Sequence, residues 1–174
     1  MKYQMILQSQ QDFFRSGATL SISYRREVLS LLEGAILNRR EQIESALAED
    51  LGKSRQEAYS TEIAVVLSEL RYARRHLKSW ARSKAAVTPL SHWPGRQRVT
   101  PVPYGSVLIL APWNYPFQLC LSPLISARAA GNCAVVKPSE LAGRTALVIR
   151  ALLGELFSPE YVAVCLGEGE TAAA

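Results

Sequence analysis

Three short, almost wholly apolar runs constrain this chain more than any other feature. They occupy residues 106–111 (Ser-Val-Leu-Ile-Leu-Ala), 133–137 (Cys-Ala-Val-Val-Lys) and 161–166 (Tyr-Val-Ala-Val-Cys-Leu). A strand with one wet face alternates apolar and polar residues, whereas a parallel strand buried on both faces reads as a continuous apolar run. Helix-length stretches separate the runs, at residues 115–130, which end at Gly131-Asn132, and at 141–157. Strand, helix, strand, helix, strand with short links is a βαβαβ unit with right-handed crossovers. The expected fold class is therefore α/β: N-terminal helices followed by the first βαβαβ part of a doubly wound, Rossmann-like parallel sheet.

The residues before this unit are helical in pattern. Across 23–37 the apolar positions Val28, Leu31, Leu32 and Ala35 form one stripe, and across 41–51 Ile43, Ala46, Leu47 and Leu51 form another. Gly52 supplies the left-handed position that ends the second helix. A third and longer helix is expected over 56–83, burying Ile63, Val66, Leu67, Leu70, Leu77 and Trp80. Its other face carries Arg71, Arg74, Arg75 and Lys78. Pro89, Pro94, Pro101 and Pro103 then exclude helix, so 87–104 is expected to be an extended crossing segment, with 97–102 a candidate edge strand. Two parts follow: residues 1–104, helical and crossing, and 105–174, a partial dinucleotide-binding domain. A turn and helix start at Gly167-Glu168-Gly169-Glu170 precede the end at Ala174, and a helix so short cannot cover the sheet. Truncation is the expectation.

Composition closes off several classes. With 48% hydrophobic and 20% charged residues among 174, the chain buries enough apolar surface to order itself, which excludes disorder. No run approaches the roughly 18 apolar residues of a membrane span, and the first ten residues lack the apolar core of a secretory signal. The three cysteines, Cys120, Cys133 and Cys165, are odd in number and in no metal-ligand spacing, so neither a disulfide framework nor a metal site is expected. A reducing, cytoplasmic location follows. The net charge of +5 is uneven, +6 over the first hundred residues and −1 over the rest, but the bases there are interleaved with acids along helical faces. A solvated helix face explains Arg71, Arg74, Arg75, Lys78, Arg82 and Lys84 without a nucleic-acid partner.

Open α/β sheets bind ligands beyond the carboxyl ends of their strands. The first run leads into Pro112-Trp113-Asn114-Tyr115-Pro116, the second into Lys137-Pro138-Ser139-Glu140, and the third into the Gly167 turn. Asn114 can donate a preorganised hydrogen bond to a developing oxyanion, or it can cap its own turn. Lys137 and Glu140 offer a donor and an acceptor to adjacent ribose hydroxyls. Each also has a structural role open to it, Lys137 as a snorkelling strand-end lysine and Glu140 as helix N-terminal charge. No G-x-G-x-x-G follows the first run, so a standard Rossmann phosphate turn is absent.

In order and spacing, four stretches resemble the aldehyde dehydrogenase superfamily: Pro103-Tyr104-Gly105-Ser106-Val107-Leu108-Ile109, Pro112-Trp113-Asn114-Tyr115-Pro116-Phe117, Ala129-Ala130-Gly131-Asn132 and Val135-Val136-Lys137-Pro138-Ser139-Glu140. The segment Leu47-Ala48-Glu49-Asp50-Leu51-Gly52-Lys53 makes the chain most like the class 3 branch, which acts on fatty and aromatic aldehydes. The resemblance implies oxidation of an aldehyde to a carboxylic acid through a cysteine thiohemiacetal, with NAD or NADP as cofactor. Asn114 would be the oxyanion-hole amide. Lys137, Ser139 and Glu140 would bind the adenosine ribose, and Leu110, Ala111, Pro112 and Trp113 would line the cofactor. Glu140 would repel a 2′-phosphate and Lys137 partly offset this, which leans the choice to NAD. The family is a homodimer through a segment beyond these residues, and its nucleophilic cysteine and general-base glutamate also belong to a second domain. None of the three cysteines matches the nucleophile; buried structural thiols are expected, and the chain alone is expected to be inactive. The competing expectation is a non-catalytic nucleotide-binding or interaction relic of the same fold.

Overall fold

A computed structural model describes residues 2–167. Strands β3 (Ser106–Leu110), β4 (Cys133–Lys137) and β5 (Val162–Val164) form a parallel sheet in the order β3-β4-β5. The crossovers are α6 (Gln118–Ala130) and α7 (Gly143–Leu156), as the apolar runs require. Leu110 lies opposite Lys137 and Val136 opposite Val164, so the strands end nearly in line. The βαβαβ expectation holds, with corrections of extent: β5 covers Val162–Val164 of the expected 161–166. Helix α6 starts three residues later than expected, and α7 is preceded by a 3-10 turn, Glu140–Ala142. The Gly167 turn lies outside the described residues from Glu168 onward.

Burial on both faces holds for β4 but not for β3. Ile109 is buried, while Leu108 and Leu110 are 59% and 54% exposed. Leu108 and Leu110 share one face of the pleat, opposite to Ile109, and that face of β3 is left bare among the described residues.

The helical part begins with α1 (Lys2–Arg15), which carries too few apolar residues to announce itself in the sequence. Tertiary contacts hold it. The buried Gln10 donates from Nε2 to the carbonyls of Ala134 at 2.8 Å and Pro159 at 3.3 Å, and the Phe13 ring packs 5.4 Å from that of Tyr161. Helix α2 (Ile22–Asn38) is capped by Ser21 and buries Val28, Leu29, Leu32 and Ile36; Leu31, expected in the stripe, is exposed because the stripe runs one residue round from it. Helix α3 (Arg40–Leu51) ends at Gly52, whose φ of 67° is left-handed, as expected.

The single helix expected over 56–83 is interrupted. It runs as α4 (Arg55–Ala58), one π turn (Tyr59–Ile63) and α5 (Ala64–Trp80). Its expected stripe is buried except for Trp80, which is 45% exposed and stacks on His76 at the open end of α5. Arg71 and Arg74 clamp Glu33 of α2 at 2.6 and 2.8 Å.

Residues 84–99 then form a hairpin that the prolines partly obscure: β1 (Lys84–Ala86) pairs antiparallel with β2 (Gln97–Val99). The strand expected over 97–102 stops at Val99, before Pro101, which has no N–H to offer a ladder.

Helices α2 and α6 are locked by Arg25. Its buried guanidinium donates to the carbonyls of Thr19, Leu20 and Ala129, the last on the final turn of α6, where a cation complements the helix dipole. Gly131 ends α6 at φ 93°. A Cβ there would stand 2.7 Å from Arg25 Cζ, so a larger residue would strain the backbone and push the Arg25 guanidinium from its carbonyl partners.

Candidate functional site

The two motif-bearing turns lie side by side. The Ala111 N–H donates to the Lys137 carbonyl at 3.0 Å, which closes the β3–β4 ladder where both strands give way to their turns. The Pro112–Pro116 and Lys137–Glu140 segments therefore emerge from adjacent strands at one sheet edge, where an open α/β sheet takes its ligands.

On β4, the Lys137 stem is buried and its Nζ donates to Glu140 Oε2 at 2.7 Å. That hydrogen bond, helped by the Glu140 backbone N–H, holds the Glu140 carboxyl below the usual carboxylate range. The Ser139 hydroxyl accepts from the Leu141 N–H at 3.2 Å and caps the 3-10 turn that leads into α7. At the end of β3, Ala111 is buried, while Leu110, Pro112 and Trp113 present exposed surface. The Asn114 side chain is exposed and, among the described residues, its carboxamide has no hydrogen-bond partner. It is not used to cap its own turn, and it stands ready to donate.

The sequence assigns no site role to three residues that build this site: Asp50, Lys53 and Glu62. The Asp50 carboxylate accepts from the N–H groups of Arg144 at 3.1 Å and Thr145 at 2.7 Å, at the start of α7. The fully buried Glu62 does the same for α6, with Oε2 accepting from Phe117 N–H at 2.8 Å and Gln118 N–H at 3.1 Å. Its other oxygen meets Lys53 Nζ at 2.5 Å. Lys53 Nζ also lies 3.4 Å from the Asn114 carbonyl oxygen and 4.1 Å from the centroid of the Tyr115 ring. Each crossover helix thus receives at its positive N-terminus a carboxylate from the helical part of the chain. The only local signal is the Gly52-Lys53 helix end. Glu62 sits in the π turn, where a periodicity reading has no phase to assign it.

A groove of about 560 Å³ runs between α5 and α6, lined by Tyr72, Trp80, Gln118, Leu119, Ser122 and Pro123 among others. Its α6 side begins at Gln118, the first residue of that helix.

The cysteines are structural. All three are buried and none is in a disulfide. Burial pushes the Cys120 thiol up to about 12 and raises Cys133 as well, the reverse of what an attacking thiolate needs. Among the described residues, no group of three or more His, Cys, Asp or Glu could hold a metal ion.

The sequence profile of the aldehyde dehydrogenase family matches residues 2–174. The chain belongs to the aldehyde dehydrogenase family. It is 46% identical over 155 residues to the 4,4'-diaponeurosporen-aldehyde dehydrogenase of Staphylococcus aureus, across 89% of this chain and 34% of that protein. It is 37% identical to aldehyde dehydrogenase family 3 member B1 of Rattus norvegicus, across 92% and 34%. A solved structure of substrate-bound Staphylococcus aureus AldH superposes with a TM-score of 0.95 at 43% identity, over 98% of this chain and 37% of that one. The chain spans about a third of the length of the curated relatives it matches. The match to a family 3 member agrees with the class 3 character of the motifs.

Proposed function

We propose that these residues form the oxyanion-binding turn and the adenosine side of the cofactor site of an NAD(P)-dependent aldehyde dehydrogenase that oxidises apolar aldehydes to carboxylic acids. The observation that carries this reading is the side-by-side placement of an unpartnered, exposed Asn114 carboxamide and the Lys137–Glu140 pair at one sheet edge. The donor set fits a ribose: an ammonium with one donor turned to Glu140, and a carboxylate kept ionised. Bound NAD(P) supplies the hydride acceptor.

The chain's own residues do the rest of the positioning. Lys137 and Glu140 bond the ribose hydroxyls, and Leu110, Pro112 and Trp113 give the cofactor an apolar wall. The Asn114 Nδ2 hydrogens point donors at the aldehyde oxygen as negative charge develops there during attack by a thiolate. By the family resemblance, the thiolate and its base belong to a part of the family's fold that these residues do not include, and burial holds Cys120 and Cys133 protonated. The groove between α5 and α6 receives the apolar tail of the aldehyde, in keeping with a relative named for a 4,4'-diaponeurosporen-aldehyde. We assign residues 1–104 to a helical and crossing part and 105–174 to part of the dinucleotide-binding domain. A reducing cytoplasm suits three cysteines without a disulfide, and the family resemblance favours a homodimer.

The test is NADH formation from long-chain and aromatic aldehydes by the full-length protein, with and without Asn114→Ala. The variant is expected to lower kcat by about 10²–10³, the usual effect of removing one oxyanion donor, with the cofactor KM unmoved. A variant that moves only the cofactor KM makes Asn114 a turn residue. A full-length protein that oxidises no aldehyde refutes the assignment.

A further inference from the structure

Resting on the reading of Asn114 as the oxyanion donor, we propose that the buried Lys53–Glu62 pair acts as the positioning element of that donor. The pair grips the Asn114 turn from both sides. Lys53 Nζ reaches the Asn114 carbonyl oxygen and the face of the Tyr115 ring, while Glu62 Oε2 takes the two amides, Phe117 and Gln118, at which α6 begins. The contact between Lys53 Nζ and Glu62 Oε1 joins the two grips into one unit. Among the described residues, every polar side-chain contact of the pair is therefore either internal to it or directed at residues 114–118.

Stability alone does not account for such a pair. A buried ion pair is often no better for stability than apolar residues of the same volume, because both charges lose their hydration. Lys53 is 8% exposed and Glu62 fully buried, so the desolvation is nearly complete. What such a pair does supply is a fixed geometry. An oxyanion donor works because its dipole is already aimed before charge develops, and a misplacement of about 1 Å can cost about 10²-fold in rate. Among the described residues the Asn114 side chain has no partner to hold it, so its aim depends on the backbone of the turn. The π turn at Tyr59–Ile63 is the device that brings Glu62 inward, and π turns inside helices occur frequently at functional sites.

Lys53→Met and Glu62→Gln, made in the full-length enzyme alone and combined with Asn114→Ala, test the proposal. Each single variant is expected to lower kcat by about tenfold to 10²-fold with the cofactor KM unchanged. Combined with Asn114→Ala, the further loss is expected to vanish, because a positioning residue has nothing left to position. A second readout is independent of turnover: native-state amide exchange at Phe117 and Gln118 should accelerate in Glu62→Gln, which keeps the side-chain shape and serves if Lys53→Met fails to fold. Asn114→Ala that lowers kcat, beside pair variants whose losses simply add to it, overturns the positioning role and leaves the oxyanion reading intact. Unchanged exchange at Phe117 and Gln118 overturns it likewise. Asn114→Ala with wild-type kcat overturns both.

Discussion

Removing the Lys137 ammonium separates cofactor recognition from folding. In Lys137→Met the stem that packs at the end of β4 keeps its volume, and only the charged tip is lost. That tip donates to Glu140 at 2.7 Å and to no other protein group among the described residues, which leaves two of its three donors for a ligand. Its partner carboxylate is open to water, with a side-chain exposure of 38%, so deleting the ammonium strands no buried charge. The melting temperature should hardly change. Binding should change, because a hydrogen bond to a charged group contributes about 1.5–3 kcal/mol, which corresponds to a roughly 10- to 150-fold rise in Kd. Calorimetric titration of the full-length protein with NAD, and with nicotinamide mononucleotide as the half that lacks adenosine, reads this directly. NAD should weaken by that factor and the mononucleotide by none. Equal affinity of variant and wild type for NAD removes Lys137 from the site, and equal weakening of both ligands moves it away from the adenosine ribose.

Two further outcomes follow from burial. Burial pushes the Cys120 thiol and the Tyr161 hydroxyl each up to about 12, whereas unfolded they titrate near about 8.5 and 10, so folding prefers their protonated forms. Their contribution is complete below about pH 8.5 and is lost as pH rises toward 12; thermal melts across that range should fall steadily, and a flat profile refutes the burial argument. Expressed as these 174 residues alone, the chain should oxidise no aldehyde and should self-associate, because Leu108 and Leu110 lie bare on an edge strand. A monodisperse species in size-exclusion chromatography defeats the second half, and turnover above the buffer blank defeats the first.

The order of strands and helices, and the two turns that carry Asn114 and Lys137, are legible along the chain because each is a local matter. An apolar run stops where the first polar or proline residue appears, and Gly52 and Gly131 end helices by a backbone conformation they alone adopt cheaply. Residues 103–140 therefore reveal both the sheet edge and its family. Helix α1 is not legible, since Gln10 is buried and Phe13 half-buried only through contacts with β4 and Tyr161. Nor is the start of α6. Pro116 and Phe117 permit helix from Tyr115 onward, and it is Glu62, 55 residues away from Phe117, that takes the amides and sets the boundary. Exposure of Leu108 and Trp80 depends likewise on which neighbours are present rather than on the residues themselves. The Lys53–Glu62 pair shows the limit most plainly. Glu62 has no periodic signature, because the π turn shifts the helix out of its 3.6-residue phase, and Lys53 shows only as the residue after the Gly52 helix end. Only packing α4, α5 and α6 together brings the ammonium, the carboxylate and the Asn114 turn within hydrogen-bonding distance, and only then does the hydration lost by two buried charges find its compensation.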